Sequence, residues 1–220
     1  MVKFDTNLQF LVSAQNLFCQ RDEHPIFSNL NFTIKSGEAL FLRGPNGSGK
    51  STLLLAIAEL LPFEGNLNFG RSKQAEEETP ISHHIHFIST LNAMKSELTL
   101  AENLHFWCQT LGGQSSSIPA ALEKSGLGGL ENFQAGHLST GQKHRLSLAR
   151  LLAIQRPIWL LDEPSSALDS EGDNWVASLI DDHLAKNGLV ITATHRPIEL
   201  NKNSTAQTLN LGSKNLELNA

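Results

Sequence analysis

Apolar and polar residues alternate over residues 8–18 and again over 26–34, the period of strands with one buried face. The polar run Gln20-Arg21-Asp22-Glu23-His24-Pro25 between them predicts a turn, and the two stretches a small hairpin-like sheet. Ser36-Gly37 predicts a second turn, and residues 39–42 a short buried strand. From 51 to 61 the pattern is helical, with Pro62 as its stop. Glu64-Gly65-Asn66 predicts a turn before a short strand at 67–69. Residues 71–80, with Glu76-Glu77-Glu78, read as a solvated stretch without function. Residues 81–89 predict one buried strand, on which alternation places His84 and His86 on one face. Thr99-Leu100-Ala101-Glu102 has capping-box spacing and predicts a helix through Phe106 and Trp107 to about Leu111. After a loop at 112–117, Pro119 suits a helix first turn, and residues 98–153 read as a helical insert. Residues 158–161 and 189–193 predict two buried strands, ending in Asp162-Glu163 and Thr194-His195. The polar tail from Asn201 carries a weak strand at 208–211. Strands and helices alternating in this way predict an α/β fold with a parallel sheet and ligands at the strand C-terminal ends.

Composition narrows the function classes. At 220 residues the chain is one large domain, or two small lobes around a shared core. The formal charge of −5 argues against nucleic acid or an anionic lipid surface as the main partner. Two cysteines, Cys19 and Cys108, give no disulfide framework and point to a reducing compartment. No signal peptide is evident, and no apolar run reaches membrane-spanning length. The expectation is a soluble chain that works at a membrane only if another protein holds it there.

Gly44-Pro45-Asn46-Gly47-Ser48-Gly49-Lys50-Ser51-Thr52 fits the G-x-x-x-x-G-K-[ST] phosphate-binding loop, between a predicted strand and a predicted helix. Backbone N–H groups and the positive end of a helix dipole converge there and favour a polyphosphate. Lys50 would reach the β- and γ-phosphates, and Ser51 would offer its hydroxyl to Mg²⁺. At the end of an apolar strand, Asp162 suits Mg²⁺ and Glu163 suits the attacking water. His195, also at a strand end, suits the γ-phosphate or the water. His83, His84 and His86 lack a third ligand at suitable spacing and read as satisfied or exposed histidines rather than a metal site. Ser139-Thr140-Gly141-Gln142 opens an apolar-striped helix, a second anion-seeking end. A single nucleotide needs only one phosphate loop. A symmetric head-to-tail dimer resolves the surplus, each nucleotide lying between one copy's loop and the other's helix end.

GPNGSGKST, LSTGQ, WLLDEP, SALD and TATH, in this order and spacing, resemble the ATP-binding subunits of ABC transporters over nearly the whole chain. Cys19-Gln20-Arg21-Asp22-Glu23-His24 and residues 98–107 bring the resemblance closer to those of cytochrome c maturation, or haem export, systems. The resemblance implies a nucleotide-binding core from residues 1–92 and 154–220, with an antiparallel β subdomain and a helical lobe at 93–153. It implies ATP and Mg²⁺ as cofactors, with Lys50, Ser51 and Asp162 on phosphate and metal. Glu163 would be the general base and His195 the γ-phosphate switch. Ser139, Gly141 and Gln142 would complete the site of the other copy, and Asp169 would lie at the dimer seam. Closure of a homodimer on ATP would drive CcmB/CcmC-like integral membrane subunits at the cytoplasmic face of the bacterial inner membrane. Three positions depart from the family pattern. Arg21 stands where an aromatic stacks on adenine, and its guanidinium plane can also stack. Leu91 stands where a glutamine contacts Mg²⁺ and water, and it has no donor or acceptor; Asn92 is adjacent. Thr140 replaces a glycine. Weakened hydrolysis at Leu91 and Arg21 would make the chain an ATP-binding switch rather than a motor. A soluble ABC-type protein without a transporter is a third reading.

Overall fold

The computed structural model describes residues 9–72 and 80–212, and the backbone of 218–219. The polar stretch expected at 71–80 therefore lies mostly outside the described residues. β1 (Phe10–Arg21) and β2 (His24–Lys35) form an antiparallel hairpin. Its turn is Asp22-Glu23 alone, both at positive φ (49° and 63°), and Arg21 pairs directly with His24. Two consecutive left-handed residues match the strand twist, so the ladder runs to the tip where the polar run predicted a longer turn.

β3 (Glu38–Arg43) leads through the glycine loop into α1 (Lys50–Ile57). The helix ends at Ile57 and not at 61. Glu59 turns left-handed (φ 59°), its N–H reaching Ala56 O at 3.0 Å and that of Leu60 reaching Leu55 O at 2.9 Å. This is a Schellman-type end, so Pro62 is not the stop. β4 (Glu64–Arg71) absorbs the turn expected at 64–66 and pairs with β1. Gly65 (φ 94°) lies against the bulge at Asn16, where a Cβ would meet the Asn16 carbonyl.

Residues 81–89 are not one strand. After Pro80, Ile81–His84 coil as a 3-10 turn, and only β5 (Ile85–Ile88) is extended. His84 and His86 therefore do not share a strand face. The His84 ring lies 5.2 Å from that of Phe10, and His86 Nε2–H donates to Ile154 O at 3.1 Å. Among the described residues no group of His, Cys, Asp and Glu is placed to hold a metal ion.

α2 (Leu100–Leu111) opens on the expected capping box of Thr99 and Glu102 and ends at left-handed Gly112. α3 (Ile118–Lys124) and α4 (Thr140–Ala153) follow, with irregular chain over much of 125–139. The three helices bury a cluster of their own around Leu100, Leu104, Leu122 and Leu146. β6 (Ile158–Asp162), α5 (Ser170–Leu184), β7 (Leu189–Ala193), β8 (Thr205–Asn210) and β9 (Leu218–Asn219) complete the chain. β8 starts earlier than the apolar pattern predicts because Thr205 and Ala206 pair with β3 while remaining exposed.

The three-stranded sheet has order β2-β1-β4, and the six-stranded sheet β5-β6-β7-β3-β8-β9, parallel except for β9. Alternate residues of the large sheet serve two cores. Leu40, Leu42, Ile158, Leu160, Leu189 and Ile191 pack with the apolar face of α1 and with the antiparallel sheet. Ala39, Phe41, Trp159, Leu161 and Val190 pack with residues of α4 and α5. Burial on both faces is why these strands read as unbroken apolar runs.

His183 is stacked on Trp159, with centroids 3.7 Å apart and planes at 10°, and its Nε2–H donates to Pro157 O at 3.1 Å. Burial pushes the pKa of both His86 and His183 down to about 3. Below about pH 6.5 the unfolded chain takes up protons that these folded rings refuse. Stability is therefore lost as pH falls from 6.5 toward 3, by about 1.4 kcal/mol per pH unit for each ring. His183→Phe keeps the stack and removes one such proton. Urea unfolding between pH 6.5 and 5 should then lose stability less steeply by about that amount per unit. An unchanged slope would show that His183 is not the group responsible.

Candidate active site

The glycine loop is built by backbone geometry that side chains forbid. Gly49 (φ 95°) is the N-cap of α1, and a Cβ there would sit 2.6 Å from Ile26 Cγ2 and 3.2 Å from Phe27 Cδ1. Gly44 (φ 145°) would thrust its Cβ into Leu211 O and to 2.7 Å from Ser48 Oγ. Pro45, Asn46 and Gly47 stay exposed at the tip, while Ser48, Gly49 and Lys50 are buried. Ser51 and Thr52 follow in the first turn of α1.

Two features of the loop fit a polyphosphate. Lys50 is 6% exposed, and its ammonium rests on neutral acceptors, Gly44 O at 2.8 Å and Pro45 O at 2.9 Å. Ser48 Oγ is buried without a hydrogen-bond partner among the described residues. A charged donor and an orphaned hydroxyl on one loop, behind a helix N-terminus, form an anion cradle.

Asp162 ends β6, and its carboxylate accepts from the Ser51 hydroxyl. Burial pushes its pKa up, while the Ser51 hydrogen bond, Lys50 and His195 pull it down. The two residues expected to hold Mg²⁺ are thus already in contact, and an oxygen pair of this kind suits that ion.

Glu163 lies past the strand at φ 52°, an uncommon conformation for a residue with a Cβ, with its N–H held by Ala193 O at 2.8 Å. His195 N–H donates to Glu163 Oε2 at 3.2 Å, and His195 Nε2 lies 3.5 Å from Oε1. The side chains are 22% and 45% exposed, open enough to meet a substrate. The structure therefore brings Lys50, Ser51, Asp162, Glu163 and His195 to the C-terminal ends of neighbouring strands β3, β6 and β7.

The remaining predicted residues stand apart. Ser139 caps α4, its Oγ accepting Gln142 N–H at 3.2 Å while Gln142 Oε1 accepts Ser139 N–H at 3.0 Å. A Cβ on Gly141 would lie 3.1 Å from Ala167 O, so the N-terminal end of α4 borders the turn that leads to Asp169. Asp169 caps α5 by accepting Gly172 N–H at 2.8 Å. Whereas α1 packs against β6 and β7, α4 packs mainly against α2, α3 and β5. The two anion-seeking ends thus belong to different packing groups. Arg21 is an exposed residue at the hairpin tip, 3.8 Å from Asp22. Leu91 is 76% exposed.

Sequence reasoning missed His144. Its Nε2–H donates to Pro164 O at 2.7 Å, beside Glu163, and its Nδ1 lies 3.3 Å from the Asn92 amide. The only signal was its place two residues after Gln142, at a buried helical position. It also missed Arg43, whose guanidinium reaches the chain on both sides of His195.

The ABC transporter family pattern matches residues 27–166. Over 194 residues the chain is 46% identical to the cytochrome c biogenesis ATP-binding export protein CcmA of Rhizobium etli, covering 86% of this chain and 90% of that one. It is 45% identical over 188 residues to CcmA of Rhodopseudomonas palustris strain BisB5, covering 85% and 92%. A solved structure of an ATP-binding subunit of an ABC transporter superposes with a TM-score of 0.77 at 20% identity, covering 91% of this chain and 85% of that one, which shows the same fold. With its glycine loop, acid pair and histidine at one sheet end, the chain belongs to the ABC transporter family, among the cytochrome c biogenesis ATP-binding export proteins.

Proposed function

We propose that the chain binds ATP with Mg²⁺ at the glycine loop and that two copies close head to tail on two nucleotides. Hydrolysis then drives membrane subunits that move haem or a haem-loaded carrier. The observation that carries this reading is the contact of Ser51 with Asp162, within reach of the Lys50 charge and beside the Glu163–His195 pair. Bound Mg²⁺, held by Ser51 and Asp162, would neutralise phosphate charge. Lys50 would exchange its two carbonyls for phosphate oxygens. Glu163 would take the proton of the attacking water, and His195 would orient the terminal phosphate. In the closed pair, Ser139, Gly141 and Gln142 of the second copy would complete the site, with Asp169 at the seam. Arg21 would stack on the base. The lobe at 93–153 would face CcmB/CcmC-like membrane subunits on the cytoplasmic side of the inner membrane. No helix among the described residues is long and apolar enough to cross a membrane.

Leu91 and Arg21, standing where the family pattern has a glutamine and an aromatic, favour one alternative, an ATP-binding switch with weak turnover. Phosphate release by the chain co-purified with its membrane subunits separates the two. A motor shows robust turnover that Lys50→Ala abolishes. Turnover at background level in the parent, with ATP still bound, would favour the switch.

A further inference from the structure

The segment 194–196 carries His195 and is gripped by two arginines that the site described above does not use. Arg43, directly before Gly44, places one Nη1 at 3.0 Å from Thr194 O and 2.9 Å from Arg196 O, the carbonyls that bracket His195. Its own carbonyl accepts Leu211 N–H at 2.7 Å, and its guanidinium lies 5.4 Å from the Phe41 ring centroid. From the far side, Arg196 Nη1 donates to Leu168 O at 3.0 Å and to both Asp173 oxygens at 3.1 and 3.2 Å, with Ser165 O at 3.4 Å. Thr194 Oγ1 closes the segment, donating to Arg196 O at 2.9 Å and accepting Arg196 N–H at 3.1 Å.

We propose that Arg43 and Arg196 are positioning residues for ATP hydrolysis, holding His195 against Glu163 and tying that pair to the glycine loop on one side and to the turn at 165–168 on the other. The proposal rests on the reading of Glu163 as the base. His195 is half exposed, and its ring is 3.5 Å from the carboxylate, too loose a contact to fix the ring by itself. Charge-assisted bonds to carbonyls are stronger, and the planar guanidinium holds its acceptors in one geometry. Arg43 is covalently next to Gly44, so a shift of the loop on taking up phosphate passes directly to the two carbonyls beside His195. Arg196 extends the chain of contacts to the turn whose Ala167 carbonyl borders Gly141, at the N-terminal end of α4. The Arg196–Asp173 pair is 52% and 29% exposed, and pairs so placed contribute little to stability. A purely structural role would leave that pair with little effect.

The test uses the full chain co-purified with its membrane subunits and compares Arg43→Met, Arg196→Met and Asp173→Asn with the parent. Asp173→Asn loosens Arg196 without touching the segment, which covers the case in which an arginine variant fails to fold. Each is expected to lower kcat by about tenfold, the scale of a small misplacement of a reacting group, while KM for ATP stays within about twofold. Arg43→Lys restores part of the loss, and Arg43→Met with Arg196→Met together is no worse than the worse single, because both act through one segment. The proposal is overturned if the Met variants and Asp173→Asn turn over at the parental rate. It is equally overturned if kcat and KM worsen together with a lowered melting temperature that Arg43→Lys does not restore. Glu163→Gln is measured beside them. If it still turns over, the assignment of the base is wrong whatever the arginines do. If it is inactive while the Met variants are fully active, only the positioning role fails.

Discussion

Glu163→Gln is expected to reduce ATP hydrolysis by about 10²–10⁴-fold, the range that positioned proton transfer supplies, while leaving ATP binding intact. The carboxylate is the acceptor in the pair with His195, and glutamine keeps its size and one oxygen while losing its basicity. The backbone at 163 is unaffected in kind, since Ala193 O holds the N–H of either residue. With hydrolysis blocked and Mg²⁺-ATP saturating, the two copies should remain closed on nucleotide. Gel filtration should then show a mass twice that of the chain, dependent on ATP and absent with ADP. A variant that hydrolyses ATP near the parental rate, or one that stays single with ATP bound, would remove either the base or the head-to-tail pairing from the mechanism.

Gly49→Ala is expected to lose ATP binding and some stability together. The residue sits at φ 95°, where a Cβ is disfavoured by about 1–2 kcal/mol. The added carbon would also lie 2.6 Å from Ile26 Cγ2 and 3.2 Å from Phe27 Cδ1, and overpacking of this kind costs about 1–3 kcal/mol. Relief requires the loop to move away from the hairpin, which takes Lys50 and the α1 N-terminus with it. The expected result is a loss of about 2–5 kcal/mol in equilibrium unfolding and of nucleotide binding in a titration. Gly47→Ala is the matched comparison. Its φ is also positive (79°), yet no atom lies within 4 Å of the added carbon, so only the backbone penalty applies. Equal behaviour of the two variants would show that the contact with Ile26 is irrelevant.

Much of the site was legible because its chemistry depends on residues close together in sequence. The glycine loop needs its glycines, lysine and hydroxyl within one turn, and these fall on Gly44 to Thr52. Capping boxes are equally local, and Thr99–Glu102 and Ser139–Gln142 form as their spacing demands. The strand ends at Asp162 and Ala193 also read clearly, since each follows an apolar run buried on both faces.

Element ends were less legible. The turn at Asp22-Glu23, the end of α1 at Glu59 and the bulge at Asn16 are all decided by non-glycine residues at positive φ; Asn16 and Asp22 are of types that adopt it more readily, but Glu23 and Glu59 are not. The expected strand at 81–89 failed because Pro80 starts a 3-10 turn, and apolar alternation does not distinguish four extended residues from nine.

Most of the strands and helices, the phosphate loop and the acid pair were determined by the sequence alone, because each rests on contacts or conformations within a few residues; α5 had no predicted counterpart, and Ile81–His84 coils where a strand was expected. Only the tertiary structure decided that Ser51 meets Asp162, that His195 meets Glu163, and that Arg43 and Arg196 grip the segment between them. Those pairings join residues 23 to 153 positions apart, and separations of that kind are set by the strand order of the sheet, which no local pattern encodes.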